Sequence, residues 1–278
     1  MKVGIVTDST CDLPDEQIKQ LGVTVVPLFI NIGDTGFKDG VDISREEFYA
    51  NLPSYASHPT TGTPGTAAFV QAYQALAAKG VEAIISIHIS QALSAVLDSA
   101  RSAASEFSAV PVLVRDSRQL SMGTGFQVEL AAKLAAQGKT VEEISSALDS
   151  LERRTFVAAA LHTLEFLRRG GRMNGVMAGL GSVLQIKPIL TMRGGVPGSE
   201  RVRTTSKAEA RLLSMVTERG QIERLVLLHS NAPERANKLR TALLPYVSEI
   251  DPQPISITPV IGAHVGPGAA GFALITKD

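Results

Sequence analysis

Apolar and polar positions along the first half of the chain repeat in blocks whose period switches between two and about 3.6, the mark of strands interleaved with helices. Val3 to Thr7 is a β-branched run that stops at Asp8-Ser9-Thr10. Asp12-Leu13-Pro14-Asp15-Glu16 then reads as a helix start, with proline and acids in the first turn, and Gly22 closes that helix. Val23 to Ile30 predicts a second buried strand, and Ser44-Arg45-Glu46-Glu47 has capping-box spacing for a helix. Gly65 to Lys79 is Ala-rich and helical, Ala83 to His88 a strand, Leu93 to Phe107 a helix, and Pro111 to Arg115 a strand that ends at Asp116-Ser117. Met122 to Gln137 and Thr140 to Arg154 are two further helices, the second with Thr140 and Glu143 at capping-box spacing.

This alternation predicts βαβ units in a mostly parallel sheet with helices on both faces and right-handed crossovers. Ligands of such sheets sit beyond the carboxyl ends of the strands. Asp8-Ser9, His88-Ile89-Ser90 and Asp116-Ser117 end three of the predicted strands and should converge on one rim.

The pattern changes near Arg154. Phe156 to Leu161 begins a new apolar strand, and Leu164 to Arg169 is helical and stops at Gly170-Gly171. Asn174 to Leu184 reads as a small-residue helix, and Ile186 to Met192 is apolar and followed by a Gly/Pro turn at Gly194 to Gly198. Ser206 and Glu209 cap another helix; Leu225 to His229 is a strand, Pro233 to Leu244 a helix, and Ile255 to Val260 and Phe272 to Thr276 are strands. The reading is two α/β domains, 1–155 and a smaller 156–278, in line with a length of 278 residues at about 150 per domain.

Charge narrows the partners. Lys+Arg and Asp+Glu both count 27, so no net field draws the chain to nucleic acid or to an anionic membrane. A single cysteine, Cys11, excludes an internal disulfide and a cysteine-based zinc site. Charge follows too soon after Met1 for a signal peptide, and no apolar run reaches the ~18 residues of a membrane span. A soluble cytoplasmic protein is expected.

No P-loop, GxSxG elbow or HExxH helix is present, and His58, His88, His162, His229 and His264 do not pair at metal-ligand spacing. Four stretches stand out instead. Pro59-Thr60-Thr61-Gly62-Thr63-Pro64-Gly65 places hydroxyls and free N–H groups before a helix, which suits a carboxylate or phosphate, although an N-cap explains the same residues. Ile89-Ser90-Gln91-Ala92-Leu93-Ser94 is a second strand-to-helix bridge with the same two readings. Gly262-Ala263-His264-Val265-Gly266-Pro267-Gly268, read as a tight loop between strands, presents one imidazole among glycines, toward either an anion or water. Leu164 to Met173 ends in Arg168, Arg169 and Arg172; a helix C-terminus accounts for the first two, and Arg172 lies beyond it. Met177, Leu180, Val183, Leu184, Ile186, Ile189 and Leu190 fit a core or a lipid tunnel equally.

In this order, and together with Phe37-Lys38-Asp39-Gly40-Val41-Asp42-Ile43 and Val202-Arg203-Thr204, these stretches resemble the DegV family over nearly the whole chain. The resemblance implies a two-domain α/β protein that holds a long-chain fatty acid, is not itself an enzyme, and needs no cofactor besides that lipid. It also implies a partner. Such proteins act as the acyl-binding, FakB-type subunit of a bacterial fatty acid kinase and present the carboxyl group to an ATP-binding subunit, with transient membrane contact allowed. By position, Thr61, Ser90 or Ser94, and His264 with Gly262 would hold the carboxylate; Arg172 as the partner residue, and Arg203 in the ligand set, would face the kinase or the phosphate. The family's Thr-Ser-x-Pro has Gly62 in place of serine, and Gln91, Ala95 and Val96 depart from Ser-Ser-x-x-Ser-Gly-Thr, so fewer hydroxyls surround the carboxyl group. Two rivals remain: a stand-alone Ser/His hydrolase or kinase using Ser94, His264 and Asp116, and a carrier of another amphiphile such as an isoprenoid.

Overall fold

The computed structural model describes residues 1–173, 186–247 and 250–277. The first part is built on β1 (Val3–Asp8), α1 (Asp15–Leu21), β2 (Thr24–Val26), β3 (Phe29–Ile32), β4 (Thr35–Lys38), α2 (Arg45–Asn51), β5 (Thr60–Gly62) and α3 (Thr66–Ala78). It continues through β6 (Ala83–His88), α4 (Val96–Glu106), β7 (Val112–Asp116), α5 (Met122–Ala136) and α6 (Val141–Arg154). β2, β1, β6 and β7 lie in that order in one all-parallel sheet. Strand order reverses between β1 and β6, and right-handed crossovers therefore put α1 on one face and α3 and α4 on the other; α5 packs on β1 and α1, on the first face. Every residue of β1 and of β6 is buried, as a sheet covered on both faces requires.

The run from Val23 to Ile30 is not one strand. It breaks at Pro27, which has no ladder donor, and the chain moves from the parallel sheet into a small antiparallel sheet of order β4-β3-β5. Thr60 to Gly62 is the outer strand β5 of that sheet, where a pre-helix loop was expected.

The second part holds β8 (Thr155–Ala160), α7 (Glu165–Arg169), β9 (Lys187–Arg193), β10 (Val196–Val202), α8 (Thr205–Thr217), β11 (Ile222–His229), α9 (Pro233–Leu243), β12 (Pro254–Ser256), α10 (Pro259–Val265) and β13 (Ala270–Thr276). Its six strands form one sheet, β10-β9-β8-β13-β11-β12, antiparallel except for β11 with β12. Pro197 and Gly198 lie inside the edge strand β10, a place where a missing N–H is tolerated, and not in a turn. α6 ends and β8 begins without a linker, under the predicted Thr140/Glu143 capping box. Thr204, two residues before Ser206, caps α8; Glu209 instead pairs with Lys238 at 2.7 Å. The expected helix over 174–184, with Met177, Leu180, Val183 and Leu184, lies outside the described residues.

The largest correction concerns Gly262 and His264. They are not in a loop: Pro259 to Val265 is helix α10, capped by the Thr258 side chain, which accepts from the Val260 N–H. Pro259 at N1 begins it, where its missing N–H matters least. Gly262 is a packing glycine, because a Cβ there would meet the Tyr49 Oη at 2.2 Å.

Candidate functional site

The carboxyl ends of β1, β6 and β7 do share one rim, since Thr7 pairs with Ile87 and His88 with Asp116. At the switch point between β1 and β6 sits Asp8, fully buried. It accepts hydrogen bonds from the Thr10 N–H (3.0 Å), the Thr10 hydroxyl, the Ile89 N–H (3.1 Å) and His88 Nδ1 (3.0 Å). Burial pushes the Asp8 carboxyl up, but the hydrogen bonds from His88, Thr10 and Ile89 win and hold it below the usual carboxylate range. His88 Nε2 continues the chain to the Ser86 hydroxyl (2.6 Å), which accepts from the Tyr73 phenol at 3.0 Å. This has the connectivity of a Ser-His-Asp triad, but Ser86, His88 and Asp8 are all fully buried, so it braces the sheet and offers no nucleophile.

Above this brace opens a cavity. Thr10, Thr61, Thr63, Ser94, Arg172 and His264 give its polar wall, and Leu93, Leu120, Leu167, Leu190, Ile261 and Val265 much of its apolar wall. The Thr61 hydroxyl lies 2.9 Å from His264 Nε2, a contact across 203 residues of sequence. It exists because β5 pairs with β3 and α10 packs against that small sheet. His264 Nδ1 is buried without a partner and faces Gly170, where a Cβ would stand 2.2 Å from it. Burial first, then the Arg172 charge and His58, hold the His264 pKa down at about 4. The imidazole is therefore neutral at physiological pH. Arg172 is anchored by donating to the Gly170 carbonyl at 2.9 Å. The wall thus offers hydroxyls, a neutral imidazole and one guanidinium, a set suited to orienting a single carboxylate.

Thr61, Ser94, His264 and Arg172 of the expected residues are brought together here. Ser90 is not: it is 1% exposed, its N–H donates to the Gln119 carbonyl and its hydroxyl accepts from the Ala92 N–H, so it pins the turn that presents Ser94. Gly262 serves Tyr49, and Arg203 is exposed after the end of β10, outside the cavity lining. The hydrolase constellation does not assemble: His264 takes Thr61 and not Ser94, while Asp116 accepts from the Arg118 N–H at 2.7 Å. Sequence reasoning missed Thr10, Leu93, Leu120, Ile261 and Val265 as lining residues; a hydrophobic residue facing a cavity and one facing a core have the same local signature.

A second cavity adjoins the first and shares Leu93, Leu120, Leu190, Ile261 and Val265 with it. Its floor is the six-stranded sheet, through Val157, Ala159, Leu161, Met192 and Ala270. Polar residues on its wall turn their polar atoms outward. The Ser230 hydroxyl donates to the Gly266 carbonyl (2.6 Å) and accepts from the Ala269 N–H (2.9 Å). The Ser121 hydroxyl donates to Asp12 (2.5 Å), and His229 Nδ1 accepts from the Ala232 N–H (3.4 Å). What faces the cavity is carbon.

A polar-walled cavity at the switch point of the parallel sheet thus adjoins an apolar one over the six-stranded sheet. The sequence profile of the DegV family matches residues 2–277, and the chain belongs to that family. It is 36% identical over 276 residues to a DegV domain-containing protein of Halalkalibacterium halodurans, covering 98% of each. The DegV family protein of Thermus thermophilus, described for its fatty acid binding, superposes with a TM-score of 0.90 at 33% identity, over 100% of both chains. DegV of Bacillus subtilis, a fatty acid binding protein, does so with a TM-score of 0.91 at 30% identity, again over 100% of both. Among the described residues no helix is long and apolar enough to cross a membrane.

Proposed function

We propose that this protein binds one long-chain fatty acid, its carboxylate against Thr61, Ser94 and His264 and its tail in the apolar cavity. The observation that carries this reading is the pair of joined cavities, one with a polar wall and one whose wall turns every named hydroxyl away. The fatty acid binding of the two solved relatives supports the ligand class. A C16–C18 tail that leaves water gains about 0.8 kcal/mol per methylene, enough for tight binding after ordering costs. In this reading residues 156–278 form the tail-binding unit, and residues 1–155 supply most of the carboxylate seat.

The second half of the proposal is that the protein is a carrier and presents the carboxyl oxygen to an ATP-using fatty acid kinase. Arg172 at the cavity wall and the exposed Arg168 and Arg169 beside it would face that partner. Native mass spectrometry of the purified protein, with extraction of whatever leaves on denaturation, tests the first half. A mass excess of one fatty acid is expected; a bare chain that stays bare after incubation with palmitate and stearate would overturn it. Arg172→Glu tests the second: coupling to the kinase should be lost with the lipid retained, and loss of both would assign Arg172 to the pocket alone.

A further inference from the structure

Asp12 joins the two cavities without lining either. It is fully buried, it has a left-handed backbone (φ 56°), and its two carboxylate oxygens reach in two directions. Oδ2 accepts from the Ser121 hydroxyl at 2.5 Å, and Ser121 is part of the apolar wall. Oδ1 accepts from the Thr258 N–H at 2.7 Å, and Thr258 caps α10, which carries Ile261, His264 and Val265 into the cavities. Ser121 is itself left-handed (φ 51°, ψ −142°), a conformation that a serine keeps only where its surroundings impose it. Around this bridge the chain is clamped. Arg45 Nη2 stands 3.5 Å from Asp12 Oδ1, and Arg45 also donates to the Ser256 carbonyl. Asp39 accepts from the Thr258 hydroxyl, and the Tyr49 phenol donates to the Ile257 carbonyl at 3.2 Å.

We propose that Asp12 is a positioning residue that couples the seat of the acyl tail to the seat of its carboxylate, holding Ser121 with one oxygen and the helix of His264 with the other. The inference rests on the fatty acid reading above. A tail that fills the apolar cavity touches α10 directly through Ile261 and Val265, and it also presses on the segment of Leu120 and Ser121, from which a rigid acceptor transmits displacement through Thr258 to the same helix. Asp12→Ala removes both acceptor oxygens, whereas an Asn could keep the bridge, its oxygen accepting from the Thr258 N–H and its NH₂ donating to the Ser121 hydroxyl. The device lets the head-group site register whether the tail is long enough to fill the protein.

The test uses the full chain labelled with ¹³C at histidine Cε1, with the His264 resonance assigned by its loss in His264→Gln. Octanoate and palmitate, each at saturation, place the same carboxylate in the same seat and differ only in tail. In the wild type the His264 resonance should differ between the two complexes. In Ser121→Ala, which removes only the tail-side bond, and in Asp12→Ala, which removes both, the difference should shrink to what the direct contacts of Ile261 and Val265 leave. A purely structural Asp12 would change stability and leave the difference intact. Coincident resonances in the wild type, or a difference unchanged in both variants, would overturn the coupling while leaving fatty acid binding in place. Failure of palmitate to bind the wild type would overturn the fatty acid reading itself. Should Asp12→Ala not fold, Ser121→Ala alone decides.

Discussion

Ala159 gives the sharpest quantitative test of where the tail runs. It lies in β8, between β9 and β13, paired with Leu190 on one side and Gly271 on the other. A residue so central in a six-stranded sheet should be buried, yet Ala159 is partly exposed because it faces the apolar cavity. Ala159→Leu puts three more carbons into that space and displaces about three methylenes of a long tail. At about 0.8 kcal/mol each the loss is about 2.4 kcal/mol, or roughly fiftyfold in Kd. Chains that end before Ala159 should bind unchanged. Isothermal titration of delipidated protein with C8 to C18 acids reads this directly: the wild-type affinity climbs about fourfold per carbon until the cavity is full, and the variant stops climbing about three carbons earlier. Filling a void leaves the thermal midpoint level or raises it, so lost binding cannot be blamed on unfolding. Unchanged palmitate affinity in a folded Ala159→Leu protein would refute a tail lying on this sheet.

Other outcomes follow from the head-group end. Thr61→Val keeps the shape, removes the partner of His264 Nε2 and should weaken palmitate by about ten- to hundredfold, as for a hydrogen bond to a charged group, measured by the same titration. Gly170→Ala drives a Cβ into His264 and should reduce fatty acid affinity at least as much, while far-ultraviolet circular dichroism stays native because φ at Gly170 is −77°. The pH dependence of stability separates two buried groups. His264, at about 4 when folded and 6.5 when unfolded, binds fewer protons in the native state, so it costs stability as pH falls from 6.5 to 4. Asp12, raised by burial to about 6 from 3.8, binds more, so it costs stability as pH rises from 3.8 to 6. The two windows overlap with opposite sign. Relative to the wild type, denaturant titrations between pH 4 and 6.5 should find His264→Gln gaining stability toward acid and Asp12→Asn losing it; parallel profiles for all three proteins would refute the assignment.

The parallel sheet was legible because β1, β6 and β7 are runs rich in β-branched residues closed by a polar stop, and the burial of every residue in β1 and β6 follows from that pattern; β10, with its Pro197 and Gly198, read as a turn. The small sheet was not, since Pro27 breaks what looks like one strand and the pairing of β5 with β3 is long-range. Thr61 and His264 stood out as a hydroxyl among prolines and an imidazole among glycines. The same glycines hid the helix that carries His264: Gly262 is there to clear Tyr49 and Pro259 to begin the helix, yet in sequence they mimic a loop. Ser90 and Ser94 were inseparable because both belong to one turn, and only its fold shows which hydroxyl reaches the cavity. Asp12 looked like part of a helix start. Its partners lie 109 and 246 residues away, and no local pattern marks such a bridge.

The outward-turned hydroxyls of the apolar cavity also govern its hydration. With Ser230, Ser121 and His229 all bonded elsewhere, the wall has no donor or acceptor to hold a water by two or more contacts, and apolar cavities of this kind stay dry. An incoming tail then has little ordered solvent to release. Its gain comes from new dispersion contacts with a wall that had none, so the binding heat should be favourable at 25 °C and the solvent-entropy gain small, the reverse of the small-solute signature. A lipid held in this way is retained by cohesion with the wall, and its grip should weaken on warming.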